Sequence, residues 1–198
     1  DFQTLSDAGE SSVKAIPLSG VKTGVNYAMV ISTNAGLWRY QIGDTITFTS
    51  TDPYRIRITG RTRNFINAFG EELIVDNAQK ALQSACEKTG AQINEFTAAP
   101  VYFGENSSGA HEWLIEFEKE PSDLAYFTEM LDNALKSLNS DYEAKRYHNM
   151  ILGEPIVRAM PYGTFYKWLK KRDKLGGQFK VPRLSNNRQT LEDILKVI

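Results

Sequence analysis

The chain has 198 residues, with 23 Lys and Arg against 24 Asp and Glu for a formal charge of −1, and 41% of it is hydrophobic. This is the profile of a soluble globular protein, and it excludes disordered, collagen-like and membrane-spanning classes, since no apolar run approaches the roughly 18 residues that a span needs. No signal peptide opens it and its one cysteine, Cys86, cannot close an internal disulfide, so a cytoplasmic setting is expected.

Short β-branched or aromatic runs separated by Gly, Asn, Asp and Pro predict strands over Val13–Leu18, Tyr27–Thr33, Thr45–Thr49 and Tyr54–Thr59. Tyr54-Arg55-Ile56-Arg57-Ile58 alternates with period two, as a half-buried strand does. Beyond Gly60 the pattern becomes one of mixed helices and strands. Ile74, Ala78, Ala81, Leu82, Ala85 and Cys86 form an apolar stripe at helical spacing, with Asp76 and Gln79 placed as a capping box. Strands are predicted over Thr97–Phe103 and Glu112–Glu118, and in the second Glu112, Glu116 and Glu118 share one face, read as the solvent face. Pro121-Ser122-Asp123 announces a helix whose inner face carries Leu124, Phe127, Leu131, Ala134, Leu135 and Leu138. Val157–Met160 reads as a third strand of this part, and Thr164–Arg172 and Thr190–Ile198 as short helices flanking a Gly-rich basic loop. The class is α+β: a small β subdomain over residues 1–62, then over 63–198 a lid of helices packed on a small mixed sheet.

Trp113, Phe117, Phe127, Phe165 and Trp168 are expected in the core, and Cys86 as a buried packing residue. His111 and His148 stand apart, which gives no multi-histidine metal site and leaves them structural or surface roles. Charge is unevenly spread. Glu105–Glu143 holds ten acidic residues against Lys119 and Lys136, a net −8, and Lys167–Arg188 holds eight basic residues against Asp173, a net +7. The basic tail either serves an anionic partner, folds back on the acidic stretch, or is a solvated face.

Three segments break the regular patterns. In Gly36-Leu37-Trp38-Arg39-Tyr40-Gln41-Ile42-Gly43-Asp44 a carboxylate follows glycine between two strands. It can accept charge-assisted hydrogen bonds from two neighbouring hydroxyls, as on a ribose, and an ordinary Gly-Asp turn has the same pattern. In Gly60-Arg61-Thr62-Arg63-Asn64-Phe65-Ile66-Asn67-Ala68-Phe69-Gly70-Glu71-Glu72 an arginine fork can hold sugar or phosphate oxygens and the glycines permit a swivel; a basic surface turn reads alike. In Gly176-Gly177-Gln178-Phe179-Lys180-Val181-Pro182-Arg183 a glycine pair precedes a lysine, which lets a loop carry a cation into a site and out. A solvated basic loop is the alternative.

In their order, these segments resemble the end of the adenylate-forming ligase superfamily. There a Tyr-x-x-Gly-Asp turn closes the large domain, a Gly-Arg hinge follows, and a Gly-rich loop near the C-terminus presents a lysine. The matching residues are Tyr40-Gln41-Ile42-Gly43-Asp44, Gly60-Arg61 and Gly176-Gly177-Gln178-Phe179-Lys180. Ser32-Thr33-Asn34-Ala35-Gly36-Leu37-Trp38-Arg39-Tyr40 and Phe179-Lys180-Val181-Pro182-Arg183 are similar to the Gretchen Hagen acyl acid amido synthetases, the auxin-responsive plant family and its bacterial relatives. The resemblance runs from about Ala15 to Arg188.

The resemblance implies a two-step reaction. A carboxylic acid attacks the α-phosphate of ATP, with Mg2+ expected in the full enzyme, to give an acyl-adenylate and pyrophosphate; an amine then displaces AMP. Tyr40, Asp44 and Arg61 would bind the nucleotide, Asp44 at the ribose hydroxyls and Arg61 on the sugar or phosphate side. Lys180 would be the catalytic cation, stabilising charge that grows on the α-phosphate and carboxylate oxygens. Arg63 would stand at the hinge, where the superfamily usually has Asp or Lys. The chain carries no Ser/Thr/Gly-rich phosphate loop, so the phosphate loop and acyl pocket would lie in a large N-terminal region of the same polypeptide. Residues 1–62 would then close the large adenylation domain, and the isolated chain would be inactive. Two other readings remain: a ligase that passes the acyl group to a thiol such as coenzyme A, and a non-catalytic module whose basic tail contacts nucleic acid. The latter asks for exposed aromatics among the basic residues, and of Phe165, Tyr166, Trp168 and Phe179 the first and third fit a buried stripe.

Overall fold

The structure, a computed structural model, describes residues 2–4, 15–62, 64–102, 108–149, 151–174, 176 and 180–198. The chain divides into two units: residues 1–65 with 74–76, and residues 66–73 with 77–198.

In the first unit, β1 (Phe2–Thr4), β2 (Asn26–Ile31), β3 (Tyr40–Thr51) and β4 (Tyr54–Arg61) form an antiparallel sheet in that order. Its core is aromatic. Phe2, Tyr27 and Phe48 meet edge to face at centroid distances of 5.2 to 6.1 Å, packed with Val21 and Ile46, a geometry that the ring quadrupoles favour. Two expectations need correction. Val13 and Lys14 lie outside the described residues, and the rest of the strand predicted over Val13–Leu18 reduces to one bridge between Ile16 and Phe2. Pro17 has no N–H to give a ladder, and Leu18–Gly20 turns as a 3-10 helix closed by the Gly20 amide on the Pro17 carbonyl. The alternating strand from Tyr54 does form, but it is not half-buried: Ile56 and Ile58 are 51% and 69% exposed. Ile58 and Ile56 lie opposite the buried Ile46 and Phe48, hence on the same face. As β4 is the edge of the sheet, the aromatic core stops one strand short of them.

β5 (Phe65–Ile66) and β6 (Leu73–Ile74) pair as a short two-stranded ladder. The second unit then contains a three-stranded sheet in which β7 (Gln92–Val101) runs antiparallel to β8 (Ala110–Lys119), and β8 parallel to β9 (Ile156–Met160). Among the described residues five α-helices accompany the strands, in order α1 (Val75–Thr89), α2 (Leu124–Leu138), α3 (Ser140–Arg146), α4 (Thr164–Lys171) and α5 (Gln189–Leu195). This is the α+β class with its mixed sheet. Asp76 is the second residue of α1 rather than its cap, because β6 runs directly into the helix, so the capping-box reading of Asp76 and Gln79 fails. Asp123 does cap α2, its carboxylate accepting the amides of Ala125 at 2.8 Å and Tyr126 at 3.1 Å.

The solvent-face reading of the β8 glutamates is overturned for two of three. Glu112 and Glu116 are each 2% exposed; Glu118 is exposed. β8 is the middle strand, and both of its faces are covered. Phe117 packs on Phe127 of α2, while Leu114, on the same face as the glutamates, lies in a cluster with Met160, Phe165, Trp168, Leu191 and Ile194. A carboxylate there must be paired. Glu112 takes Arg158 and Arg188, and Glu116 accepts from Asn94 at 2.7 Å and from the Phe165 amide at 3.3 Å. The five aromatics expected in the core are buried, and Cys86 is only half-buried.

Candidate functional site

Register brings two of the three singled-out segments together within the first unit. Asp44, near the start of β3, lies opposite Arg61 at the end of β4, and Arg61 Nε approaches Asp44 Oδ1 to 3.2 Å. The backbone needed for this is supplied by glycine. Gly43 has φ +84° and its carbonyl accepts the amide of Thr62 at 2.9 Å, while Gly60 has φ +155°, a conformation that other residues rarely adopt. Beneath the pair, Thr59 donates to Asn26 and also bonds Thr45 at 3.1 Å, both threonines buried. The carboxylate is thereby fixed at the end of a hydrogen-bonded ladder rather than on a loose turn.

A cavity of about 400 Å³ opens beside it, lined by Gln41, Ile42, Gly43, Arg61, Thr62 and Asn64. Arg61 is 67% exposed at its side chain and Asp44 25%, so a planar five-donor cation that lines the cavity and the acceptor-only carboxylate it pairs with both reach solvent. Such a pair can open to hold vicinal hydroxyls on the acid and an oxyanion on the guanidinium. Tyr40 begins β3 opposite Ile31 and is exposed. The sequence alone does not mark Thr62 and Asn64 for contact with a ligand. The signal that could find them is adjacency to Arg61, since a residue that hydrogen-bonds across to Gly43 must come directly after the strand end.

Lys180 belongs to the second unit, is exposed, and among the described residues its ammonium has no ion-pair partner. The residues after it are firmly held. Thr97 donates to the Pro182 carbonyl at 2.7 Å, Ala98 donates to the Arg183 carbonyl at 2.9 Å, and Ser185 donates back to Ala98 at 3.1 Å, so residues 182–185 lie along β7. Arg183 pairs with Glu95 at 2.7 Å, its guanidinium 4.6 Å over the Phe96 ring. Gly176 has φ +90°. Arg63, Gly177, Gln178 and Phe179 lie outside the described residues.

The basic run folds back in part. Its three arginines are all paired, Arg172 with Asp193, Arg183 with Glu95, and Arg188 with Glu112 of the acidic stretch. Each of these guanidiniums therefore has an acidic partner while keeping part of its surface in solvent.

Two buried polar clusters escape a reading of the sequence, because each joins side chains from different elements. Asp132 of α2 accepts Arg146 in a two-point fork at 2.7 Å, Tyr142 hydroxyl at 2.8 Å and Lys136 at 2.6 Å. Burial would raise its carboxyl, but the hydrogen bonds from Arg146, Lys136 and Tyr142 outweigh that and hold it below its ordinary value. Burial and the Asp132 charge push the Tyr142 phenol well up, so it stays a donor. Glu71 and His111, both fully buried, meet at 2.8 Å. Burial alone would raise Glu71, and the His111 contact with the backbone amides around it brings it below the usual range.

Residues 76–189 match the GH3 family C-terminal domain and residues 1–61 the GH3 family central domain. The chain is 30% identical over 192 residues to an indole-3-acetic acid-amido synthetase of Arabidopsis thaliana, GH3.10, across 90% of this chain and 31% of that protein. It is 23% identical over 207 residues to a 4-substituted benzoates-glutamate ligase of the same plant, GH3.12, across 94% of this chain and 35% of that protein. The solved GH3.15 acyl acid amido synthetase shares the fold, with a TM-score of 0.68 at 20% identity over 99% of this chain and 36% of that one. The chain spans about a third of the length of the curated relatives it matches.

Proposed function

Because this chain belongs to the GH3 family, we propose that it is the C-terminal part of an ATP-dependent ligase that activates a carboxylic acid as its acyl-adenylate and joins the acyl group to an amine or amino acid. The observation that carries this reading is the pairing of Asp44 at 3.2 Å with Arg61, which lines a cavity of about 400 Å³, from segments that only strand register unites. The activities for which the relatives are named, amide formation with indole-3-acetic acid and with glutamate, favour an amine over a thiol acceptor.

In the proposed reaction a carboxylate oxygen of the acid attacks the α-phosphorus, pyrophosphate leaves, and the amine nitrogen then attacks the acyl carbon, losing a proton as AMP departs. Asp44 accepts from the ribose hydroxyls and fixes the nucleotide about its sugar. Arg61, released from Asp44, places its donors on the sugar or phosphate oxygens, and Tyr40 borders the nucleotide. Lys180 brings a mobile positive charge to the α-phosphate while charge is redistributing there. Its anchoring from Val181 onward sets the reach of that charge. Mg2+ would arrive with the phosphates, whose oxygens supply much of its coordination in sites of this chemistry. Residues 1–62 are proposed as the end of the adenylation domain and 63–198 as the lid, with Arg63 at the swivel. The rest of the active site would come from an N-terminal region of the same polypeptide, in the cytoplasm. No helix among the described residues is long and apolar enough to cross a membrane.

The test is product analysis with the polypeptide that includes the upstream region. Incubated with ATP, a panel of carboxylic acids and amino acids, it should release AMP and pyrophosphate and yield an amide. Release of ADP, or ATP turnover independent of any carboxylic acid, would overturn the reading.

A further inference from the structure

Asn67 to Glu72, just beyond the Gly-Arg segment, belongs to the second unit although residues on either side of it, Phe65 and Ile74, belong to the first. Its backbone turns at Gly70, whose φ of +85° glycine adopts freely, and is strained at Glu72, where φ is +41°; a residue in such a conformation persists only where its surroundings hold it. Three sets of contacts within the second unit do so. Asn186 accepts the Asn67 amide at 2.7 Å; Asn139 donates to the carbonyls of Glu71 at 2.8 Å and Glu72 at 3.3 Å; and the Glu71 carboxylate turns back on its own loop. That carboxylate has three donors. Oε1 accepts the Ala68 amide at 3.2 Å and His111 Nε2 at 2.8 Å, and Oε2 accepts the Phe69 amide at 2.7 Å. His111, from β8, is sandwiched between the rings of Phe69 and Tyr142, and its Nδ1 is buried without a partner.

We propose that Glu71 and His111 are positioning residues, a buried latch that locks Asn67–Glu72 into the second unit, so that any rotation of one unit against the other is excluded from that segment and falls on the crossings outside it. The role in catalysis rests on the ligase reading. A loosened segment would spread the orientations sampled by the unit that carries Lys180 and lower the fraction aligned with the α-phosphate. The chemistry also demands a carboxylate. Glutamine at 71 has one acceptor oxygen, so whichever way its amide is turned, one backbone N–H of the loop faces an NH2 group.

Hydrogen exchange on the full 198-residue chain tests the latch. In Glu71→Gln the amides of Ala68 and Phe69 should exchange about tenfold faster or more, while those of Trp113 and Ile115 stay within about twofold of wild type. His111→Gln, which keeps a donor at the reach of Nε2, should retain the loop protection that His111→Leu loses. Unchanged protection at Ala68 and Phe69 in Glu71→Gln, or equal loss at Trp113 and Ile115, would overturn the proposal. In the polypeptide with the upstream region, Glu71→Gln should lower kcat about tenfold and leave KM for ATP within about twofold. An unaltered kcat in an active enzyme would remove the positioning role and leave the ligase reading standing. A wild-type protein that forms no amide would remove the ligase reading, with the exchange result unaffected.

Discussion

At the scale of single residues, Asp44 and Lys180 are both polar groups within reach of solvent and named by motif, and their proposed parts in the reaction differ in timing. The Asp44 contact to ribose is present in ground and transition states alike, so Asp44→Ala should raise KM for ATP more than it lowers kcat. Lys180→Ala should instead slow acid-dependent ATP–pyrophosphate exchange by about a hundredfold or more, while a preformed acyl-adenylate still reacts with its amine. Equal slowing of both steps would return Lys180 to a solvated turn. Asp132 offers a test of stability rather than of activity. Its folded-state carboxyl titrates below the unfolded one, so its contribution is fully present above the unfolded value of about 4 and is lost as pH falls through the folded value. Asp132→Asn leaves the buried Arg146 charge uncompensated and should cost about 3–5 kcal/mol at neutral pH. The gap between wild type and variant in urea unfolding should close on acidification. A gap that does not narrow at all as pH falls below the unfolded carboxyl value of about 4 would show that shape rather than charge holds the cluster.

At the scale of elements, the central strand β8 explains most of what holds the second unit together. Its residues from Ala110 to Phe117 are all buried, and even Glu112 and Glu116 among them are enclosed because helices cover both faces. The strand enters this position through Gly109, where a Cβ would stand 2.0 Å from Phe69 Cζ. Gly109→Ala should therefore destabilise the protein by about 1–3 kcal/mol through overpacking. The double variant with Phe69→Ala should recover part of that loss, as residues in contact are not additive. If Gly109→Ala unfolds at the same temperature as wild type, the close approach of the Phe69 ring is not what glycine serves there. The edge strand β4 tells the opposite story. Its apolar row, Ile56 and Ile58, shares a face with buried Ile46 and Phe48 yet is exposed, because burial depends on what lies over a face and not on the alternation itself.

At the scale of the whole molecule, the chain spans about a third of the length of the curated relatives it matches, and the proposed nucleotide contacts and the proposed lysine fall in different units. We therefore expect the 198-residue chain alone to give no carboxylic-acid-dependent ATP–pyrophosphate exchange, since its sequence carries no Ser/Thr/Gly-rich phosphate loop. Exchange by the chain alone would show that it holds a complete site. What the sequence determined by itself was local or ordered along the chain. Helical stripes, the Asp123 cap, the alternation in β4 and β8 and the order of the three motifs are all properties of neighbours in sequence, as is the family they point to. Tertiary structure decided whatever depends on two distant segments meeting. Strand register drew Arg61 to Asp44, the helices over β8 turned Glu112 and Glu116 from surface acids into paired buried ones, and the packing of α2 on α3 assembled Asp132 with Tyr142 and Arg146. A lone charged residue in a sequence carries no mark of its partner, because the free energy that decides its burial belongs to the pair and to the layer that excludes water from it.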